Sequence, residues 1–277
     1  MIDSHQHFWR YDPAEYGWID ESMAAIRRDF LPADALRVMP PLGVTGTIAV
    51  QARQSDDETE WLVELAGGEP FIRGVVGWID LQAEDVEGQV ERAGQEPCIV
   101  GLRHVVQAEP DGFLDRPAFR RGVATLARHD LVYDILIYQR QLAEATRFAA
   151  ALPDQRLVLD HLGKPDIRSG AFAEWRSQLA ALAALPHVCC KLSGLVTEAD
   201  WRSWTPAQLR PYLDAALEAF GPSRVMFGSD WPVCTVAATY EQVVALVREA
   251  IAEYSSGEQA QMLGGTAEEV YLRTHTP

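Results

Sequence analysis

Eight short apolar, β-branched-rich runs recur along the chain, with helix-like stretches between them. They contain IDSHQHF, TGTIAVQ, GVVGWI, IVGLRH, LVYDILIY, LVLDHL, VCCKL and RVMFGS, and end near His7, Gln51, Ile79, His104, Tyr138, His161, Leu192 and Ser229. Each gap has room for one helix and two loops. Among the intervening segments, Glu58 to Leu65 follows an acidic start, Pro117 to Arg128 has proline in its first turn, and Pro206 to Phe220 is stopped by Gly221-Pro222. Eight strand–helix units in about 250 residues are the arithmetic of a (β/α)8 TIM barrel. An open doubly wound sheet usually carries a glycine-rich phosphate turn after its first strand, whereas here that strand ends in His-Gln-His. With no internal repeat and no low-complexity linker, residues 1–277 read as a single domain.

One connection breaks the regularity. The stretch from Phe8 to Pro41 holds Trp9, Tyr11, Tyr16, Trp18 and Phe30 among charges and prolines. A first βα connection of that length, about residues 8–41, reads as a lid over the catalytic mouth, or else as an aromatic patch packed on neighbouring loops.

Charge narrows the partners. Against 24 Lys+Arg stand 40 Asp+Glu, a formal net charge of −16, which is the wrong sign for tracking nucleic acid or an anionic membrane surface. No apolar run approaches the roughly 18 residues of a membrane span, and the N-terminus lacks the cationic-then-apolar pattern of a secretory signal. Cys98, Cys189, Cys190 and Cys234 show no CxxC spacing and read as reduced core residues, so the expected location is cytoplasmic. The oligomeric state is left open.

Alternate side chains of a strand share a face, so His5 and His7 point the same way at the carboxyl end of the first strand, where barrel enzymes keep their active sites. Two such imidazoles suit one divalent cation or a hydrogen-bonding pair that polarises a carbonyl. His161 ends the sixth strand and Asp230 follows the eighth, which brings three histidines and a carboxylate to one mouth. Arg103, His104, Lys164 and Lys191 are candidate donors to a developing oxyanion. By alternation only one of Arg103 and His104 faces the mouth, with His104 favoured and Arg103 paired to Asp80 or Asp134. Trp231 and Tyr138 are the favoured aromatics for a sugar-like ring, Trp9, Trp18 and Trp78 rank behind them, and Gln51 and Arg53 are weaker contacts. His129, His187 and His275 read as surface or packing residues.

The blocks DSHQHFW, RDFLP, VQARQSDDETEWL, GVVGWIDL, GLRHVVQAEPDGFL, VLDHLGKP, CKLSGLVTEADW and MFGSDWPV, collinear over most of the chain, resemble the amidohydrolase superfamily and within it the sugar-lactonase branch. The resemblance implies a TIM barrel, water attack on a lactone carbonyl, and Asp230 as the acid/base. The implied substrate is a five- or six-membered aldonolactone, L-fuconolactone first among the candidates. Binuclear members carry a carbamylated lysine at the end of the fourth strand and a histidine on the fifth. Those places here hold Arg103-His104 and Tyr138. A binuclear site is therefore not expected; His5, His7, His161 and Asp230 can hold a single Zn2+ that the reaction does not require. The rival readings are a metal-dependent decarboxylase of the same superfamily and a barrel that binds sugar acids without catalysis.

Overall fold

In a computed structural model describing residues 1–272, the eight runs form parallel strands in the order β1 to β8. They are β1 (Ile2–Gln6), β2 (Gly46–Val50), β3 (Ile72–Gly77), β4 (Ile99–His104), β5 (Val132–Ile135), β6 (Leu157–Leu159), β7 (Val188–Leu192) and β8 (Val225–Phe227). The ring closes where Ser4 Oγ donates to the Phe227 carbonyl at 2.6 Å and the backbones of Gln6 and Trp231 bridge. Residue 275 and the end of the expected 1–277 domain lie outside the described residues.

Helices α1 (Pro32–Val38), α2 (Asp56–Gly68), α3 (Val86–Gln95), α4 (Pro117–Leu126), α5 (Leu142–Ala150) and α6 (Phe172–Ala183) alternate with β1 to β7. A single turn, α7 (Leu195–Glu198), and the long α8 (Pro206–Phe220) separate β7 from β8; α9 (Tyr240–Ala250), α10 (Ser256–Ala260) and α11 (Thr266–Tyr271) complete the described chain. Local signals set their ends. Ser55 Oγ accepts the Glu58 N–H to cap α2, whose first turn carries Asp56, Asp57 and Glu58 against the positive end of the helix. Proline opens α4 and α8, where a missing N–H costs nothing.

The barrel interior is layered. At the bottom Ile2, Ile48, Val76, Val132, Val158 and Met226 pack around Ala267 and Tyr271 of α11. Above this apolar plug the inward positions turn polar: Arg103 and Asp134 are register partners on β4 and β5, and Lys191 lies opposite on β7. A separate shell of apolar side chains fills the space between strands and helices.

The segment over residues 8–41 is a packed unit. Trp9 and Phe30 pair as an antiparallel bridge, the Trp9 ring stands edge-on to Phe30 (5.6 Å) and Trp18 (5.8 Å), and Trp9 Nε1 donates to the Arg28 carbonyl. All four cysteines are free, and no described helix is long and apolar enough to cross a membrane.

Candidate active site

Closure of the barrel builds the site. Asp3 Oδ1 accepts the backbone N–H of His5 (3.2 Å) and of Ser229 (2.9 Å), the Asp230 N–H donates to the His5 carbonyl, and the His7 N–H donates to the Trp231 carbonyl. The HxH strand and the GSDWP loop are thus sewn together by backbone hydrogen bonds. Gly228 permits the approach: a Cβ there would lie 2.8 Å from that of His5.

Asp230 Oδ1 lies 3.3 Å from His7 Nε2, 3.9 Å from His5 Nε2 and 3.9 Å from His161 Nε2. Two of these residues, His161 and Asp230, hold left-handed backbone angles (φ 53° and 59°), as do Leu162 and Lys164, a cluster of strained non-glycine conformations of the kind found at working sites. Gly194 lies behind His161, and any Cβ there would come within 2.6 Å of the imidazole.

The second nitrogen of each ring fixes its role. His7 Nδ1 donates to the Val50 carbonyl at 2.7 Å, which turns its Nε2 toward the Asp230 carboxylate at 3.3 Å. His161 Nδ1 pairs with Ser193 Oγ at 2.8 Å, leaving Nε2 toward Asp230. Burial lowers the pKa of His161 to about 4 and that of His5 well below the usual range, so both rings are neutral at physiological pH. Burial pushes Asp230 upward, but His161, the hydrogen bond with His7, and His5 outweigh it and hold the carboxyl below the ordinary range.

Nitrogens of His5 and His161 and an oxygen of Asp230 lie within 4.8 Å of one another, two neutral imidazoles and a carboxylate, a donor set that fits one divalent cation. His7 meets this group at Asp230 and edge-on to the His5 ring, centroids 5.0 Å apart. No lysine stands at the end of β4. Arg103 Nη1 instead lies 3.2 Å from His5 Nε2, setting a permanent positive charge against the cluster.

At the same end of the barrel opens a cavity of about 660 Å3, lined among others by Trp18, Tyr138, Lys164, Arg168, Glu198 and Trp201. Lys164 follows His161 by three residues and sits 5.5 Å over the Tyr138 ring and 3.8 Å from Glu198. Trp18 and Tyr138 are each 41% exposed, unusual for aromatics this large. Tyr138 stands beyond β5, because pairing with β6 stops at Ile135–Leu159.

Other expectations change. The inward member of the Arg103–His104 pair is Arg103, not His104. His104 faces outward, stacks on Phe113 (4.7 Å) and pairs with Glu109 (2.9 Å), because its register neighbour Ile135 faces the helical shell. The acidic partner of Arg103 is Asp160 at 3.0 Å, neither Asp80 nor Asp134, and its second nitrogen donates to the Gln51 carbonyl. Trp9 and Trp231 are buried aromatic packing: Trp231 lies between Phe8 and Phe30. Lys191 is fully enclosed below the site, against Asp134, Asp160 and His5. Gln51 is buried and donates to the Arg103 carbonyl, and Arg53 pairs with Glu15 and Glu58.

Asp134 enters from the sequence only as a candidate partner of Arg103, and Asp160 does not enter at all. The signal that marked Lys191, a charge inside an apolar strand, is equally present in LVYDILIY and LVLDHL. Glu198, at the end of α7, and Arg168 of the cavity wall lie outside the apolar strands and carry no such signal.

A family model described as Amidohydrolase matches residues 2–273. The chain belongs to the amidohydrolase family. It is 50% identical over 284 residues to the L-fucono-1,5-lactonase of Burkholderia multivorans, covering 98% of this chain and 95% of that protein. To the L-fucono-1,5-lactonase of Burkholderia ambifaria it is 37% identical over 242 residues, 86% of this chain and 82% of the relative. A crystal structure of a Burkholderia multivorans amidohydrolase with bound zinc superposes with a TM-score of 0.94 at 46% identity, covering 99% of both chains.

Proposed function

We propose that this protein is a sugar lactonase that opens L-fucono-1,5-lactone, or a closely related aldonolactone, to the aldonic acid. The observation that carries the reading is the convergence of His7, His161 and Asp230 at the carboxyl ends of β1, β6 and β8, the end of the barrel at which a cavity walled by half-exposed aromatics and cations opens. Near-full-length identity to two proteins named L-fucono-1,5-lactonase supports the same substrate and favours lactone opening over decarboxylation.

Asp230 takes a proton from a water hydrogen-bonded to it, and the water oxygen adds to the lactone carbonyl carbon. Negative charge develops on the carbonyl oxygen, facing the positive potential of Arg103 and the neutral ring of His161 or His5. As the bond from carbonyl carbon to ring oxygen breaks, Asp230 returns the proton to the departing alkoxide. The product carboxyl group then ionises, releasing one acid equivalent per turnover.

Above this, Tyr138 and Trp18 offer faces for the sugar ring, and Lys164 offers a donor to its hydroxyls. Residues 8–41 act as a fixed rim of the mouth, with Trp18, Asp20 and Met23 turned toward the substrate. A divalent cation held by His5, His161 and Asp230 would polarise the carbonyl when bound. We infer that the reaction does not require it, because Arg103 already supplies positive charge beside His5.

The test is acid release, followed with a pH indicator, from L-fucono-, L-rhamnono-, D-galactono- and D-gluconolactone, with and without chelator. Fast opening of the L-fuco-configured lactone is the result expected. No opening of any lactone, with CO2 release from an aromatic acid by metal-loaded protein, would replace this reading by the decarboxylase one.

A further inference from the structure

Four charged side chains lie sealed beneath the cluster. Lys191, Asp134 and Asp160 are fully buried and Arg103 is 3% exposed, two cations against two carboxylates. Lys191 Nζ is 2.5 Å from Asp134 Oδ2, 3.0 Å from Asp160 Oδ1 and 3.1 Å from His5 Nδ1. Asp134 is held from below: the Tyr271 hydroxyl donates to its Oδ1 at 2.6 Å, and the same ring lies 5.3 Å from the ammonium. A continuous chain of contacts therefore runs from α11, through Asp134 and Lys191, to His5.

Stability alone does not account for this layer. Ion pairs withdrawn from water recover their desolvation cost only partly, and apolar residues of similar volume commonly serve as well. The plug directly below is already apolar, and the polar layer begins where the strands approach the site. Its charges also meet both edges of one ring. Asp160 Oδ1 (3.2 Å) and Lys191 (3.1 Å) meet His5 at Nδ1, and Arg103 (3.2 Å) meets it at Nε2, so the imidazole cannot turn without losing contacts on both edges.

We propose that Lys191, seated by Asp134 and Tyr271, is a positioning residue that fixes the His5 ring beneath the reacting carbonyl. It does not touch the substrate. The inference rests on the lactonase reading for its kinetic consequence, though not for its effect on the ring.

Lys191→Met alone leaves two buried carboxylates facing one cation and is prone to misfold. The informative protein is therefore Lys191→Met with Asp134→Asn, which removes one charge of each sign and keeps an acceptor for the Tyr271 hydroxyl. The expected result is a folded barrel with kcat down about 100-fold, the scale at which small misplacements of reacting groups are felt, and KM little changed. The 15N signals of the His5 ring nitrogens move at the same time, read from the full-length protein with labelled histidine. Wild-type kcat in a folded double variant overturns the proposal and reduces Lys191 to charge balance. If wild-type protein opens no lactone, the lactonase reading fails separately. The His5 signals then decide alone: a change upholds the positioning role and unchanged signals overturn it.

Discussion

Nε2 of His7 faces Oδ1 of Asp230 across 3.3 Å, with the other His7 nitrogen already donating to the Val50 carbonyl. An imidazole nitrogen set against a carboxylate in this way is a place for a proton in transit. Asp230→Asn keeps the shape and removes the base, so kcat/KM for the lactone should fall by about 10²- to 10⁴-fold, the usual contribution of a positioned acid/base. Initial rates of acid release check the loss, and an unchanged circular dichroism spectrum shows that the fold persists. Turnover near that of wild type would remove Asp230 from the chemistry.

How much of this was legible before any coordinates is clearest at the strand ends. Strand periodicity and the HxH spacing brought His5, His7, His161 and Asp230 to one mouth, because a parallel barrel leaves the carboxyl ends of its strands no other destination. What failed was finer. Whether Arg103 or His104 faces inward depends on register, and register is set by a partner strand: Arg103 lies beside inward Asp134 and His104 beside outward Ile135. Trp9 and Trp231 follow strands as a ligand-binding aromatic would, yet tertiary packing between residues 8–41 and the β8 loop claims both.

That packing separates two tryptophans nine residues apart. Trp9 is wholly buried and Trp18 is 41% exposed on the cavity wall. Trp9→Ala should therefore lower unfolding free energy by about 3–5 kcal/mol, as large-to-small changes of buried aromatics do. Trp18→Ala should leave stability nearly intact and raise KM with little change in kcat, the signature of binding lost equally from ground and transition states. Urea unfolding and steady-state kinetics on both variants provide the check. Equal effects of the two substitutions on KM would contradict the division.

Arg103 stands near the end of β4, and its guanidinium meets His5 Nε2. Protein stripped by chelation, with zinc verified as absent by elemental analysis, should open the lactone at a rate within about twofold of the untreated enzyme, well under the tenfold that 1.4 kcal/mol represents. Arg103→Met in the stripped protein should abolish most of the activity, because it removes the positive charge that stands 3.2 Å from His5 Nε2. Loss of turnover on chelation, restored by zinc, would make the cation catalytic and leave the substrate assignment untouched.

Glu58 links pH to stability at a point away from the chemistry. Its carboxylate accepts the backbone N–H groups of Ala52 (3.0 Å) and Arg53 (2.7 Å), and Arg53 reaches on to Glu15 in the segment over residues 8–41. Burial raises its pKa from 4.5 to about 7 despite those hydrogen bonds and the nearby Arg53. The folded protein thus keeps the Glu58 proton to higher pH than the unfolded chain does. The corresponding stabilisation is complete below pH 4.5 and is lost as pH rises through about 7, a span worth about 3 kcal/mol. Glu58→Gln imitates the protonated side chain and should not share this loss. Across urea titrations at pH 5, 6 and 8, wild type should therefore lose stability relative to the variant as pH rises. A difference that stays constant over the range would mean that Glu58 is ionised throughout in the folded protein, with its two backbone donors and Arg53 overcoming burial.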